Sequence, residues 1–199
     1  MGAGGGGVRL LLVGAGGHAR PVAEAARLIG HEIVAYAAPE DSRWLDVARV
    51  EDDAVWPAGI EGFVIALGGM DGAALKRRLG VGLAHAERGP APPIVHPCAT
   101  ASAEARLRPG AVLLAGALVN PGADIGEHAI VNTGAIVEHD AHIGHGAHVS
   151  PGAIVLGGAA VGDCAMIGAG AVVLPGAAVP EGALVPALTR HACDRGKAA

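Results

Sequence analysis

From Val95 onward the chain repeats every six residues. Written in register it reads VHPCAT, ASAEAR, LRPGAV, LLAGAL, VNPGAD, IGEHAI, VNTGAI, VEHDAH, IGHGAH, VSPGAI, VLGGAA, VGDCAM, IGAGAV, VLPGAA, VPEGAL, VPALTR, sixteen hexads without an insertion. The first position is aliphatic in every hexad, Ala101 being the smallest, and the fifth is Ala in all but the last, where it is Thr189. A helix repeats at 3.6 residues and a strand at two, so neither produces a period of six. A parallel β-helix of hexapeptide repeats does. Three hexads make one triangular coil, so the repeat spans about five coils, stacked ~4.8 Å apart into a prism roughly 25 Å tall. The first-position aliphatics are expected to point inward and stack, with the fifth-position alanines packed inward near tight corners.

Composition agrees with this and narrows the function classes. Glycine supplies 33 of 199 residues and hydrophobic residues 51%, too apolar for disorder and too glycine-rich for a helical bundle. A net charge of −5 and 2% aromatics argue against a nucleic-acid partner and against base-stacking platforms. Cys98, Cys164 and Cys193 form no CxxC pair and read as free thiols of a reducing cytoplasm. The opening MGAGGGG lacks a basic n-region, and VRLLLVG is too short to cross a membrane. The expectation is a cytoplasmic protein without a membrane partner.

Residues 1–92 follow other rules. VRLLLV (8–13) reads as a buried parallel strand, HARPVAEAARLIG (18–30) as a helix stopped at Gly30, HEIVAYA (31–37) as a second strand and GFVIALGG (62–69) as a third, with a helical stretch MDGAALKRRLG (70–80) after it. GPAPP (89–93) reads as a linker or edge segment. The predicted architecture is a small Rossmann-like α/β domain over 1–92 followed by a β-helix domain over 93–199. Gly14, Gly16 and Ala19 satisfy a G-x-G-x-x-G/A spacing between strand and helix, where backbone N–H groups suit a phosphate. AYAAP (35–39) lacks the carboxylate that would hold a ribose, so a nicotinamide dinucleotide is not predicted.

The stretch VEHDAHIGHGAHVSPG places histidines at 139, 142, 145 and 148. In the hexad register, His139 and His145 occupy the third position and His142 and His148 the sixth. Consecutive hexads lie on different sides of the prism, so the regular spacing does not gather four imidazoles into a metal cluster.

The GAGGHA segment, the IVHP start of the repeats, VNTGAIVEHD and IGHGAHVSPGA together resemble the hexapeptide-repeat sugar O- and N-acyltransferases. These include the nucleotide-sugar 4-amino N-acetyltransferases of the bacillosamine and perosamine type and the sialic-acid O-acetyltransferases. The resemblance covers essentially the whole chain. It implies a left-handed β-helix, a homotrimer with sites between subunits, acetyl-CoA as co-substrate and a nucleotide-sugar acceptor. It implies His139 as general base, Asp140 as its orienting carboxylate, Glu138 as a further acid and Asn132 as an acceptor-side polar residue. Imidazole titrates near neutral pH, and a positioned base is worth ~10²–10⁴-fold. His148, Gly157, Ala169 and Ala187 match cofactor-contact positions. The loop of Gly14, Gly16, Gly17 and His18 matches the acceptor site.

Alternatives stay open at this stage. Gly157 is equally a tight corner, and His142 and His145 are expected only at solvent-facing corners. The acceptor half departs from the family where Ala38, Pro39 and Met70 replace polar residues, so another small amine or alcohol is an alternative acceptor. The same base serves amine and hydroxyl acceptors, and a non-catalytic trimeric scaffold would retain the fold alone. No pair of histidines is five apart, the ligand spacing that γ-class carbonic anhydrases resemble, so no metal is predicted. Cys164 does not share the His139 column, and direct transfer is expected over an acyl-enzyme.

Overall fold

The computed structural model describes residues 7–50, 56–68, 80, 81, 84 and 89–192. Apart from Gly80, the helical stretch expected over 70–80, Met70 included, lies outside these residues, as does Cys193.

The N-terminal unit is a four-stranded parallel sheet. β1 (Arg9–Val13), β2 (Glu32–Ala37), β3 (Ala48–Val50) and β4 (Gly62–Ile65) pair in the order β3-β2-β1-β4. The short β3 was not legible in sequence, because its burial is only partial. β1 is central and reads as a continuous apolar run because both faces are covered: Leu10 and Leu12 pack on one side, Leu11 and Val13 on the other with Phe63 and Ile65. α1 (Ala19–Leu28) crosses from β1 to β2 and buries Ala19, Val22, Ala23, Ala25 and Ala26. It ends at Gly30, whose φ of 91° admits the left-handed conformation that terminates many helices. The GPAPP stretch is an edge segment: Ala91 N–H donates to Phe63 O at 2.8 Å.

At Ile94 the chain enters a left-handed parallel β-helix. Each hexad contributes a two-residue strand made of its own first position and the sixth position before it. These strands form three parallel sheets of six, six and five. The inward columns are the expected ones, from Leu113, Val131 and Val149 to Val185, interleaved with Ala117, Ala135, Ala153 and Ala171. Because the strand includes the sixth position, His142 and His148 stand on prism faces, not at corners. That corrects the corner placement expected for His142.

The turns explain the rest of the pattern. From Gly110 onward the fourth position adopts a left-handed conformation, with φ of 62–75° at glycines such as Gly122 and Gly158, and of 52–58° at His128, Asp140, Cys164 and Leu188. Third-position N–H groups find no backbone acceptor among the described residues. Proline, which has no N–H to lose, is therefore tolerated there, at 97, 109, 121, 151 and 175.

The two units share a core. Leu10, Val22 and Ala26 lie in one apolar cluster with Ile94, Val112, Leu114 and Ile130 of the solenoid. His128 stacks on Phe63 with ring centroids 5.5 Å apart, adding a polar-tipped ring to the joint. Burial of each such aliphatic side chain contributes ~1.5–3 kcal/mol, enough to hold the sheet against one face of the prism.

Candidate active site

The first group of candidate side chains sits on one corner of the solenoid, in the turn after the Ile136–Val137 strand. His139 Nδ1 lies 2.9 Å from Asp140 Oδ2. Asp140 holds φ at 58°, a conformation that Asp tolerates better than most residues, and this folds its carboxylate back onto the neighbouring imidazole. The hydrogen bond that the His139 ring donates to Asp140 raises the His139 pKa above 6.5; desolvation opposes it, and the charges of Asp140 and Glu138 add to the rise. Both side chains are well exposed, 65% and 74%. Gly157, one coil above, faces the other ring nitrogen: a Cβ added there would stand 2.6 Å from His139 Nε2. The Gly157 N–H donates to no group among the described residues.

The second group is on the corner that precedes that strand, and on the face leading to it. Thr133 N–H donates to Asn132 Oδ1 at 2.8 Å. That fixes the amide orientation, so Asn132 Nδ2–H donates to His148 Nε2 at 2.9 Å. His148 in turn meets His18 of the N-terminal unit, ring centroids 5.6 Å apart. These three residues line a cavity of about 240 Å³ with Ser150, Met166, Ala169 and Ala187. The Ser150 hydroxyl is buried there with no hydrogen-bond partner among the described residues.

A larger crevice of about 360 Å³ opens beyond the carboxyl ends of β1, β2 and β4, the usual ligand position in an open parallel sheet. Gly14 and Gly16 form one wall. A Cβ on Gly14 would lie 2.9 Å from Ala66 O, so this loop approaches β4 closely enough to need glycine. Gly17 has open space around it and does not line the crevice. The opposite wall is Ala38 to Asp41, where Arg49 already engages Asp41 at 2.7 Å and Pro39 O at 2.9 Å. Gly68 lines both the crevice and the cavity, so the two adjoin.

Residues that the resemblance grouped together are therefore split. His139, Asp140, Glu138 and Gly157 share one corner. Asn132 stands with His148, Ala169, Ala187 and His18 around the other. One face of the prism separates them, its outward side aliphatic with Leu118, Ile136, Ile154 and Val172. Sequence reasoning missed Ser150 and Gly68. Ser150 was within reach, since it lies 18 residues, one coil, above Asn132; Gly68 carries no sequence signal. His145 is not a bare corner residue: its Nδ1 accepts the Glu127 N–H at 3.1 Å, and its own N–H donates to Asp163 Oδ1 at 2.8 Å. No cluster of three or more metal-ligating side chains stands among the described residues. No described helix is long and apolar enough to cross a membrane.

No family model matches the chain, and no curated protein does. Solved structures do. The acetyltransferase domain of PglB from Neisseria gonorrhoeae FA1090 superposes with a TM-score of 0.83 at 28% identity, over 94% of this chain and 92% of that one. The same domain in complex with acetyl coenzyme A gives 0.80 at 27%, over 94% of each. A variant of perosamine N-acetyltransferase from Caulobacter crescentus, in complex with CoA and GDP-perosamine, gives 0.81 at 32%, over 94% of this chain and 89% of that one. The motifs, the two-part fold and this last likeness, 32% identity over 94% of the chain, converge: the protein belongs to the hexapeptide-repeat sugar acyltransferases, among the bacillosamine- and perosamine-type N-acetyltransferases.

Proposed function

We propose that the protein transfers an acetyl group from acetyl-CoA to the amine of a nucleotide-linked amino sugar. The observation that carries this reading is the His139–Asp140 pair, 2.9 Å apart, with Nε2 of the ring turned toward Gly157. The amine nitrogen attacks the thioester carbonyl while His139 Nε2 takes its proton. Asp140 keeps the ring's other proton on Nδ1 and stabilises the imidazolium. Negative charge develops on the thioester oxygen, and the Gly157 N–H is the nearby backbone donor to receive it. The C–S bond then breaks, and the proton held by His139 passes to the departing thiolate. No acyl-enzyme is needed; both substrates are bound together.

In this reading the nucleotide lies in the crevice of the N-terminal domain, residues 1–92, with its phosphates toward the Gly14–Gly16 loop and the α1 N-terminus. The sugar passes Gly68 into the cavity of His18, Asn132, His148 and Ser150. His139, in the catalytic domain of residues 93–199, stands one prism face away from that cavity in the same chain. A second copy must bring its own His139 to the acceptor, which supports a homotrimer with sites between prisms. The aliphatic face of Leu118, Ile136, Ile154 and Val172 suits such packing. His148, Ala169 and Ala187 lie where the acetyl end of the cofactor meets the sugar. The setting is the cytoplasm, which supplies acetyl-CoA.

Thiol release from acetyl-CoA, measured with a panel of UDP-, GDP- and dTDP-linked 4-amino sugars, tests this. Turnover with an amine acceptor, lost in His139→Ala, is expected. Turnover with hydroxyl acceptors alone would move the assignment to O-acetylation. No turnover, with no acetyl-CoA-dependent rise in Tm, would leave only a scaffold.

A further inference from the structure

Glycines stand against the His139–Asp140 pair in the coils above and below it. Side chains that occupy the left-handed fourth position lean down one coil, toward the start of the solenoid. A Cβ added to Gly110 would collide with the His128 ring, one added to Gly122 would collide with Asp140 Oδ1, and one on Gly170 would lie 2.8 Å from Leu188 Cδ2. In each pair the two residues are 18 apart, one coil. The third-position His139 leans the other way, up onto Gly157. The His139–Asp140 pair thus spans three coils, with Gly122 beneath the carboxylate and Gly157 above the imidazole.

Gly157 is not required by its backbone. Its φ lies outside the left-handed region, unlike that of its neighbour Gly158 at 64°. Other third positions carry Glu127, Thr133 and Ala169 without difficulty. What a side chain at 157 would displace is the His139 ring. An approach 2.6 Å from Nε2 is nearer than Cβ atoms come to other atoms, so the ring would swing and lose its alignment on Asp140. Gly122 has a left-handed φ of 75°, but His128, Asp140, Cys164 and Leu188 adopt the same conformation elsewhere in the solenoid. The fold therefore accepts a side chain at such positions, and what a side chain at 122 displaces is Asp140.

We propose that Gly122 and Gly157 are positioning residues for the catalytic base, acting through the absence of a side chain: together they form a slot that holds the His139 ring on the Asp140 carboxylate. This rests on His139 being the base.

The test uses the full chain with Gly157→Ala, Gly122→Asn and His139→Ala. Asn tolerates the left-handed conformation at 122. Gly157→Ala and Gly122→Asn are expected to lower kcat ~10–100-fold, the scale of a misplaced base, with KM for acetyl-CoA changed less than about threefold. The acid limb of the kcat–pH profile should move to lower pH in both. Nitrogen NMR of the His139 ring gives a readout that needs no turnover, and its titration should move the same way. Loss of activity in His139→Ala combined with a wild-type profile and ring titration in Gly157→Ala and Gly122→Asn would overturn the slot alone. Full activity in His139→Ala would overturn both the slot and the base.

Discussion

Asn132 Nδ2–H donates to His148 Nε2 across 2.9 Å, and this one bond selects the ring tautomer of a histidine at the junction of the two units. Because Asn132 Oδ1 is committed to Thr133 N–H, His148 must accept, and its ring proton sits on Nδ1. Asn132→Leu removes the donor and leaves buried polar groups without their partner. We expect a loss of about 1–3 kcal/mol, read as a lower Tm, together with a mixed-tautomer nitrogen signal from His148. An unchanged His148 spectrum would show that the bond is not formed.

In the proposed mechanism the pH dependence of turnover follows from His139. Its pKa is raised above 6.5, first by the Asp140 hydrogen bond. A base works in its neutral form, so kcat should climb as pH rises through that raised pKa and level off above it. In Asp140→Asn the hydrogen bond to a charge is lost, the pKa falls, and the acid limb shifts to lower pH. The plateau should fall ~10–100-fold, because the ring is then less well oriented and its imidazolium less stabilised. A pH–rate series on both proteins checks the direction; a limb that does not move would remove Asp140 from the mechanism.

His145 makes two hydrogen bonds within the solenoid, and we expect it to serve the fold and not the chemistry. Its Nδ1 serves the Glu127 N–H, one of the third-position donors that no carbonyl reaches. His145→Ala should cost about 0.5–1.5 kcal/mol of stability, the usual net worth of one hydrogen bond, and leave kcat and both KM values as they were. Denaturant unfolding and steady-state kinetics measure the two halves of that statement.

The proposed sharing of sites between copies has a sharp complementation test. His139→Ala and His18→Ala should each be nearly inactive alone. Mixed as unfolded chains in equal amounts and refolded together, about a quarter of the sites should pair an intact His139 with an intact His18 from another copy. Activity that stays at the level of the separate variants would place both histidines in sites within one chain.

The period of six, the inward aliphatics and the fifth-position alanines were enough to name the solenoid, because each hexad must bury the same two positions to stack. The G-x-G loop and the apolar β1 announced a parallel sheet for an equally local reason. The motif VEHD singled out His139 and Asp140, which are adjacent in the chain and so meet without help from the rest of the fold. Asn132 and His148 are 16 residues apart, fall on no single coil column, and are joined only because a corner turn and the next coil's face converge. His18 reaches His148 because α1 packs against the solenoid through Ile94, Val112 and Ile130, contacts between segments distant in sequence. Whether a side chain leans up or down a coil depends on the residue 18 places away having no Cβ. Sequence by itself determined the repeat and the dyad, which depend on neighbours in the chain. The separation of the His139–Asp140 pair from the Asn132–His148 group onto different corners, and the close approach of Gly122 and Gly157 to that pair, were decided by tertiary structure, because they depend on which coils and which unit come to lie against one another.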